Sequence, residues 1–142
     1  MSLIFSTPIS IRFAHCDPAG IVFYPRYFEL INGVVEDWCA QALEMSFHEM
    51  HMVQGIGLPT VHIETDFVKT SRLGDELIAE LRVLKLGRAS LTVEIIMKDE
   101  HEKLRLKAQL VLVLAKVDEQ RAIALPEQLR EKMQRYCVMP FS

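Results

Sequence analysis

Cysteines, excess charge of either sign and long apolar runs are all scarce in this sequence, and each shortage closes off a class of function. The cysteines, Cys16, Cys39 and Cys137, number three and lie far apart with no metal-ligand spacing. An odd, scattered set argues against a disulfide framework or a zinc site and fits reduced thiols, so a cytoplasmic location is expected. With 16 basic against 19 acidic residues, the net charge is −3 and the isoelectric point is near 5.9. That balance provides no basic footprint, and no nucleic-acid partner is expected. The longest uncharged stretch of apolar character, Ala108 to Ala115, has eight residues and includes Gln109. A membrane span needs about 20, so none is expected. The stretch Met1 to Pro8 lacks a basic segment and an adequate apolar core, so no secretory leader is expected there.

What is present is a compact apolar budget. At 142 residues the chain matches the usual size of one domain, so a single domain over 1–142 is expected. Half of the residues are hydrophobic and the mean hydropathy is +0.16. A domain of this size leaves part of its apolar surface outside, so the surplus points to a subunit interface, a ligand pocket or both.

Periodicity orders the chain. Ile9 to Phe13 alternates and predicts a short strand, followed by the breaker cluster Asp17-Pro18-Ala19-Gly20. From Tyr27 to about Met45, Phe28, Ile31, Val34, Val35, Trp38, Ala42 and Met45 recur at helical spacing. After Gly57-Leu58-Pro59 the period becomes two. Val61 to Val68, Leu77 to Leu84, Leu91 to Met97 and Leu104 to about Val117 read as four strands, the last apolar on both faces near Val111-Leu112-Val113. Pro126 opens a short C-terminal helix carrying Leu129 and Met133. Short turns between successive strands favour antiparallel pairing, which makes the fold class α+β, one long helix against one antiparallel sheet.

The residues that carry chemistry lie between Arg12 and Tyr27. Asp17-Pro18-Ala19-Gly20 has Asp, Pro and Gly where a type I turn wants them. Turn chemistry alone leaves the surroundings unexplained: His15 precedes, Ile21-Val22-Phe23-Tyr24 follows, and the long helix starts directly afterwards. A carboxylate beside a helix N-terminus pairs a nucleophile or base with free backbone N–H groups. Acyl transfer needs that pairing, because charge develops on the carbonyl oxygen as the carbon is attacked.

The run His15-Cys16-Asp17-Pro18-Ala19-Gly20-Ile21-Val22-Phe23-Tyr24-Pro25-Arg26-Tyr27 resembles the signature of the 4-hydroxybenzoyl-CoA thioesterase family. The element order and the Gly57-Leu58-Pro59 segment also fit, while Ser10-Ile11 departs from the start often seen. The resemblance implies a hot-dog fold, a long central helix wrapped by a five-stranded antiparallel sheet. It implies hydrolysis of an aromatic (4-hydroxybenzoyl-like) or short- to medium-chain acyl-CoA, with no cofactor. Asp17 is then the catalytic carboxylate, as nucleophile or general base, and the Tyr24 backbone N–H polarises the thioester carbonyl. It also implies a homodimer or homotetramer with the active site between subunits. For the nucleotide end of coenzyme A the resemblance favours Arg88, among the basic group Lys69, Arg72, Lys85 and Arg88. His15 either holds the turn or tunes Asp17, and with Arg88 it is the candidate for substrate contact.

Other constellations are weaker. His48-Glu49-Met50-His51 has a three-residue His spacing where a zinc helix needs four, so no metal site is expected. Cys16 neighbours Asp17, but adjacent extended residues point opposite ways. His62 lies on the polar side of its strand, and Glu64, Thr65 and Asp66 are secondary candidates for a helper group across an interface. Phe23, Tyr24, Phe28, Trp38 and Phe67 line either an aromatic slot or the core. Two other readings keep the fold: an acyl-CoA-binding protein without activity, and an enoyl-thioester hydratase. The hydratase needs a His shortly after the Asp, and Gly20 to Tyr24 supply none.

Overall fold

The computed structural model describes residues 2–138. Met1, where the leader reading begins, and the last four positions of the 1–142 span lie outside the described residues. Strands β1 (Phe5–Ser10), β3 (Thr60–Phe67), β4 (Glu76–Leu86), β5 (Ser90–Lys98) and β6 (Leu104–Val113) form one sheet in the order β1-β4-β5-β6-β3. Every pairing in it is antiparallel. Helix α1 (Tyr24–Gln41) lies on this sheet, and α2 (Glu127–Gln134) closes its end near β4. The expected α+β hot-dog architecture is what forms.

Alternation sets the core. Leu77, Ala79, Leu81 and Val83 of β4 face Val93, Ile95 and Met97 of β5 on the buried side. From β6, Leu106, Ala108, Leu110 and Leu112 complete the layer. Helix α1 buries Tyr27, Ile31, Val34, Val35, Trp38 and Cys39 against it. Burial pushes the Cys39 thiol up to about 12, with the nearby Glu36 charge adding to the shift, so this thiol is inert.

Three boundaries differ from the sequence expectation. The first strand covers Phe5–Ser10 rather than Ile9 to Phe13. Its inward positions are Phe5, Thr7 and Ile9, and the polar Thr7 hides the alternation. Pro8 is tolerated because β1 is an edge strand. The helix begins at Tyr24, three residues before Tyr27, because Pro25 occupies its first turn rather than preceding it. It ends at Gln41, short of Met45, and Glu44 then takes a left-handed φ of 56°. A π-helical segment, Glu49–Gln54, follows. The last strand stops at Val113, and the chain enters a second small sheet of β2 (Ile56–Gly57), β7 (Ala115–Lys116) and β8 (Arg121–Ala122).

Trp38 is fully buried and meets the ring of Tyr136, just beyond α2, edge-on at 6.0 Å. It therefore couples α1 to the C-terminal element as well as to the sheet. Truncating so large a buried ring leaves a cavity. Trp38→Ala is expected to lower unfolding free energy by about 3–5 kcal/mol, read as a reduced midpoint in urea.

Candidate functional site

The segment before α1 folds back on itself twice. Residues Phe13–His15 make one 3₁₀ turn, closed by the Arg12 N–H donating to Nδ1 of His15 at 2.9 Å. His15 therefore spends Nδ1 on holding this turn. A hairpin follows, with Cys16 bridged to Val22. Within it the Gly20 N–H donates to the Asp17 carbonyl and the Asp17 N–H to the Ile21 carbonyl, both at 2.9 Å. Gly20 has φ +79°. This is a type I turn closed by a left-handed residue, the three-residue hairpin loop with its glycine bulge. A Cβ at Gly20 would meet nothing within 4 Å, so the requirement for glycine is conformational.

The turn also fixes the carboxylate. Oδ1 of Asp17 accepts the Ala19 N–H at 2.9 Å, while Oδ2 has no hydrogen-bond partner among the described residues. Asp17 lines a cleft of about 300 Å³ with Ala14, Cys16, Pro18, Phe23 and Arg26. Phe23 is the N-cap of α1, so the carboxylate and the helix N-terminus share one cleft. At that terminus the Phe23 N–H donates to the His15 carbonyl and the Arg26 N–H to the Phe23 carbonyl, and Pro25 has no N–H. The Tyr24 N–H is left without an acceptor among the described residues, at the positive end of an 18-residue helix. The first turn of α1 contains no acidic residue to offset that potential.

Aromatic rings gather at the same place. Phe67, ending β3, meets Tyr24 at 6.3 Å, Tyr27 at 5.6 Å and Phe28 at 6.2 Å, and Phe23 meets Tyr24 at 5.8 Å. Tyr24 and Phe67 are 62% and 49% exposed while Tyr27 is buried, so the cluster runs from the core out to the surface. Trp38 is core and belongs to no slot.

The basic residues that the sequence placed in one region separate into two sets. Lys69 and Arg72 lie in the loop before β4, beside the Asp17 hairpin, where Arg72 bridges Ile21. Lys85 and Arg88 lie at the far end of β4. The 11 residues of that strand span roughly 35 Å at about 3.3 Å each, so Arg88 does not meet Asp17 within one chain. Near the Arg88 end is a cavity of about 810 Å³, whose walls include Phe47, Leu58, Val61, Val113 and Val117 with Asn32 and His51. His62 pairs with Glu64 at 3.2 Å on the exposed face of β3, Asp66 is exposed, and Thr65 Oγ1 is buried without a partner. His48 and His51 are exposed, and no metal-holding group of three His, Cys, Asp or Glu occurs among the described residues.

Sequence reasoning missed Arg105. Its side chain is 12% exposed, and Nη1 donates to Asp75 Oδ2, Ser71 Oγ and the Thr70 carbonyl, each at 3.0 Å. Nε donates to Asp99 Oδ2 at 3.2 Å, and Asp99 is only 10% exposed. A charged residue on the strand next to β3 was the only signal available.

The fold and cleft define a hot-dog domain with a carboxylate presented at a helix N-terminus. The family model of the thioesterase-like superfamily matches residues 11–133, and the chain belongs to that superfamily. It is 30% identical over 125 residues to a 1,4-dihydroxy-2-naphthoyl-CoA hydrolase of Synechococcus elongatus, covering 87% of this chain and 90% of the relative. Over 81 residues it is 30% identical to a 4-hydroxybenzoyl-CoA thioesterase of a Pseudomonas species, covering 56% and 57%. A crystal structure of a 1,4-dihydroxy-2-naphthoyl-CoA thioesterase from Synechocystis superposes with a TM-score of 0.83 at 21% identity, covering 92% of this chain and 96% of that one.

The ion cluster around Arg105 carries a pH signature. The Asp75 carboxyl is held below its ordinary 3.8, first by the Arg72 N–H and then by Arg105, against partial burial. Asp99 is held below 3.8, first by the Lys103 N–H, with the His101 N–H and Arg105 adding to it. Because both folded values lie below the unfolded ones, their stabilisation is complete above the unfolded value and is lost as pH falls through the folded one. The thermal midpoint is expected to hold steady down to about pH 5 and to fall below it, and Arg105→Ala should flatten that acid limb.

Proposed function

We propose that this protein hydrolyses an aromatic acyl-CoA thioester to the free acid and coenzyme A, in a site completed by a second copy of the chain. The observation that carries the reading is the shared cleft at the start of α1, where Asp17 stands beside the helix end that leaves the Tyr24 N–H unengaged. Asp17 would deprotonate a water or add to the carbonyl itself. The Tyr24 N–H would receive the negative charge that forms on the thioester oxygen, a donor worth about 3 kcal/mol in such sites. The carbon–sulfur bond then breaks. In the first route the proton that Asp17 took from water goes to the leaving thiolate. In the second the thiolate leaves an acyl–Asp17 anhydride that water opens, releasing the acid, freeing the carboxylate and supplying the thiol proton. Holding Oδ1 on the Ala19 N–H leaves Oδ2 for this work. The exposed ring cluster of Phe23, Tyr24, Phe28 and Phe67 favours an aromatic acyl group. The same preference is in keeping with the aromatic acyl groups named for the two curated relatives.

The second copy follows from β3. It is a sheet edge, paired only with β6, and most of its residues are exposed. An unpaired edge is a template for another strand, and antiparallel pairing of two identical edges obeys a two-fold axis. Such pairing sets the Thr60 end of one β3 against the Phe67 end of the other. The Asp17 cleft of one subunit then approaches the 810 Å³ cavity and Arg88 of its partner, the two halves that a single chain keeps apart. Arg88, exposed on its turn, is a candidate for coenzyme phosphates there, and His15 supports the Asp17 turn.

Thiol release from a panel of acyl-CoA thioesters tests the chemistry. Asp17→Asn is expected to cut turnover by roughly 10²- to 10⁴-fold while keeping its circular dichroism, and Tyr24→Phe, which retains the N–H, should stay within about threefold. An undiminished Asp17→Asn enzyme would refute the assignment. Sedimentation velocity at assay concentration tests the assembly: a dimer or tetramer is expected, and an active monomer rules out the shared site.

A further inference from the structure

Asp17 is placed by a hairpin, and the hairpin has no core of its own. Phe13, Ala14, Pro18 and Ala19 are all exposed. Val22 is buried in the main core and Cys16 packs against that core, and the backbone of the hairpin is anchored on the loop between β3 and β4. The Val22 N–H donates to the Ser71 carbonyl and the Leu73 N–H to the Gly20 carbonyl, both at 3.0 Å. The approach to the hairpin is tied to the same loop: the Ile11 N–H donates to the Asp75 carbonyl at 2.9 Å and the Gly74 N–H to the Ile11 carbonyl at 3.0 Å. So the loop over residues 70–75 is the template on which the carboxylate is set.

That loop is in turn held from one side chain. The Arg105 guanidinium binds the Thr70 carbonyl, the Ser71 hydroxyl and the Asp75 carboxylate, and it is itself fixed by Asp99 on the β5–β6 turn. Asp99 is rigid because its Oδ1 accepts the His101 and Lys103 N–H groups at 2.9 and 3.0 Å. Ser71, which carries both the carbonyl for Val22 and the hydroxyl for Arg105, is fully buried. The Arg105 backbone carbonyl also accepts from Val68 and Lys69 at the start of the loop. The guanidinium reaches the loop from Nη1 and Asp99 from Nε, two separate nitrogens of one rigid plane, whereas an ammonium offers a single nitrogen.

We propose that Arg105 is a positioning residue for the reaction: it fixes the loop of residues 70–75, and through Ser71 and Leu73 it fixes the hairpin that sets Asp17 in the cleft beside the start of α1. This rests on the catalytic role proposed for Asp17. Misplacement of a reacting group by about 1 Å costs on the order of 100-fold in rate. The loss should therefore appear in kcat, because Arg105 lies in the cluster behind the loop rather than among the residues of the Asp17 cleft.

The test uses full-length Arg105→Ala and Arg105→Lys, measured for thiol release and for amide hydrogen exchange. Arg105→Ala is expected to lose roughly 10- to 100-fold in kcat with KM changed less than about threefold, and Arg105→Lys to fall between it and the parent. Millimolar guanidinium chloride, against sodium chloride as control, should restore part of kcat to Arg105→Ala. Exchange at the Val22 and Leu73 amides should accelerate while that of Val93 in β5 stays slow. A parental kcat in either folded variant, or a lowered thermal midpoint with kcat, Val22 and Leu73 unchanged, would overturn the proposal. Arg105→Lys keeps the test open if Arg105→Ala does not fold. The exchange readout does not depend on chemistry. An active Asp17→Asn enzyme with accelerated Val22 exchange in Arg105→Ala would remove the catalytic reading, whereas an inactive Asp17→Asn enzyme with unchanged exchange would remove the clamp alone.

Discussion

The hydrogen bond from the Val22 N–H to the Ser71 carbonyl is the tie on which the candidate site depends. A helix can present free N–H groups only where something else fixes that end, and α1 has no side-chain cap at Phe23. The chain solves this by folding the preceding residues into a hairpin, bonding Phe23 to His15 and laying Val22 on the loop before β4. Carboxylate and helix end then share one support, so their separation is set by backbone bonds rather than by flexible side chains. The remainder of α1 contributes by burial: Ile31, Val34, Val35 and Trp38 hold its axis to the sheet.

What could be read in advance follows the range of the interactions. The Asp17 turn was legible because Asp-Pro-x-Gly chemistry is local: the acceptor for Ala19 is two residues away and that for Gly20 three. Strands β4, β5 and β6 were legible because inward alternation survives over nine to eleven residues. Strand β1 was displaced in the sequence reading because Thr7 faces inward and Pro8 looks like a breaker, both permitted at an edge. Arg105 was invisible for the opposite reason. Its partners Ser71 and Asp75 stand 34 and 30 residues away, and no local pattern marks them. The large cavity was hidden too, since β2, β7 and β8 are two residues each, too short for any periodicity.

The apolar surplus in the sequence now has locations. Part of it is the ring cluster at Phe67. Part is Met52 and Val53 on the π-helical segment, 74% and 64% exposed, and part is Val61 on the open edge. These are not scattered single residues of the kind any surface carries; the rings and Val61 sit at the two ends of one edge strand. The half-buried Val111 and Val113 on β6 account for the two-sided apolarity noticed in that strand.

Distance within one chain is the chemical reason for the proposed second copy. Asp17 lies near the start of β4 and Arg88 just past its end, and the 11-residue strand, roughly 35 Å long, stands between them. A coenzyme A thioester is itself long, with reactive sulfur at one end and phosphates at the other, so it needs an acid near the first and cations near the second. Among the described residues the side chains of Lys69, Arg72, Lys85 and Arg88 enter no ion pair or hydrogen bond, and Arg72 serves Asp75 through its backbone N–H, so free cations stand at both ends of β4. In the proposed pairing, a two-fold axis through β3 would bring Lys85 and Arg88 toward the partner's carboxylate without any change in either chain. On the proposed two-fold pairing, the edge strand, the split of the basic residues and the position of the large cavity would have a single cause, the division of one site between two identical subunits.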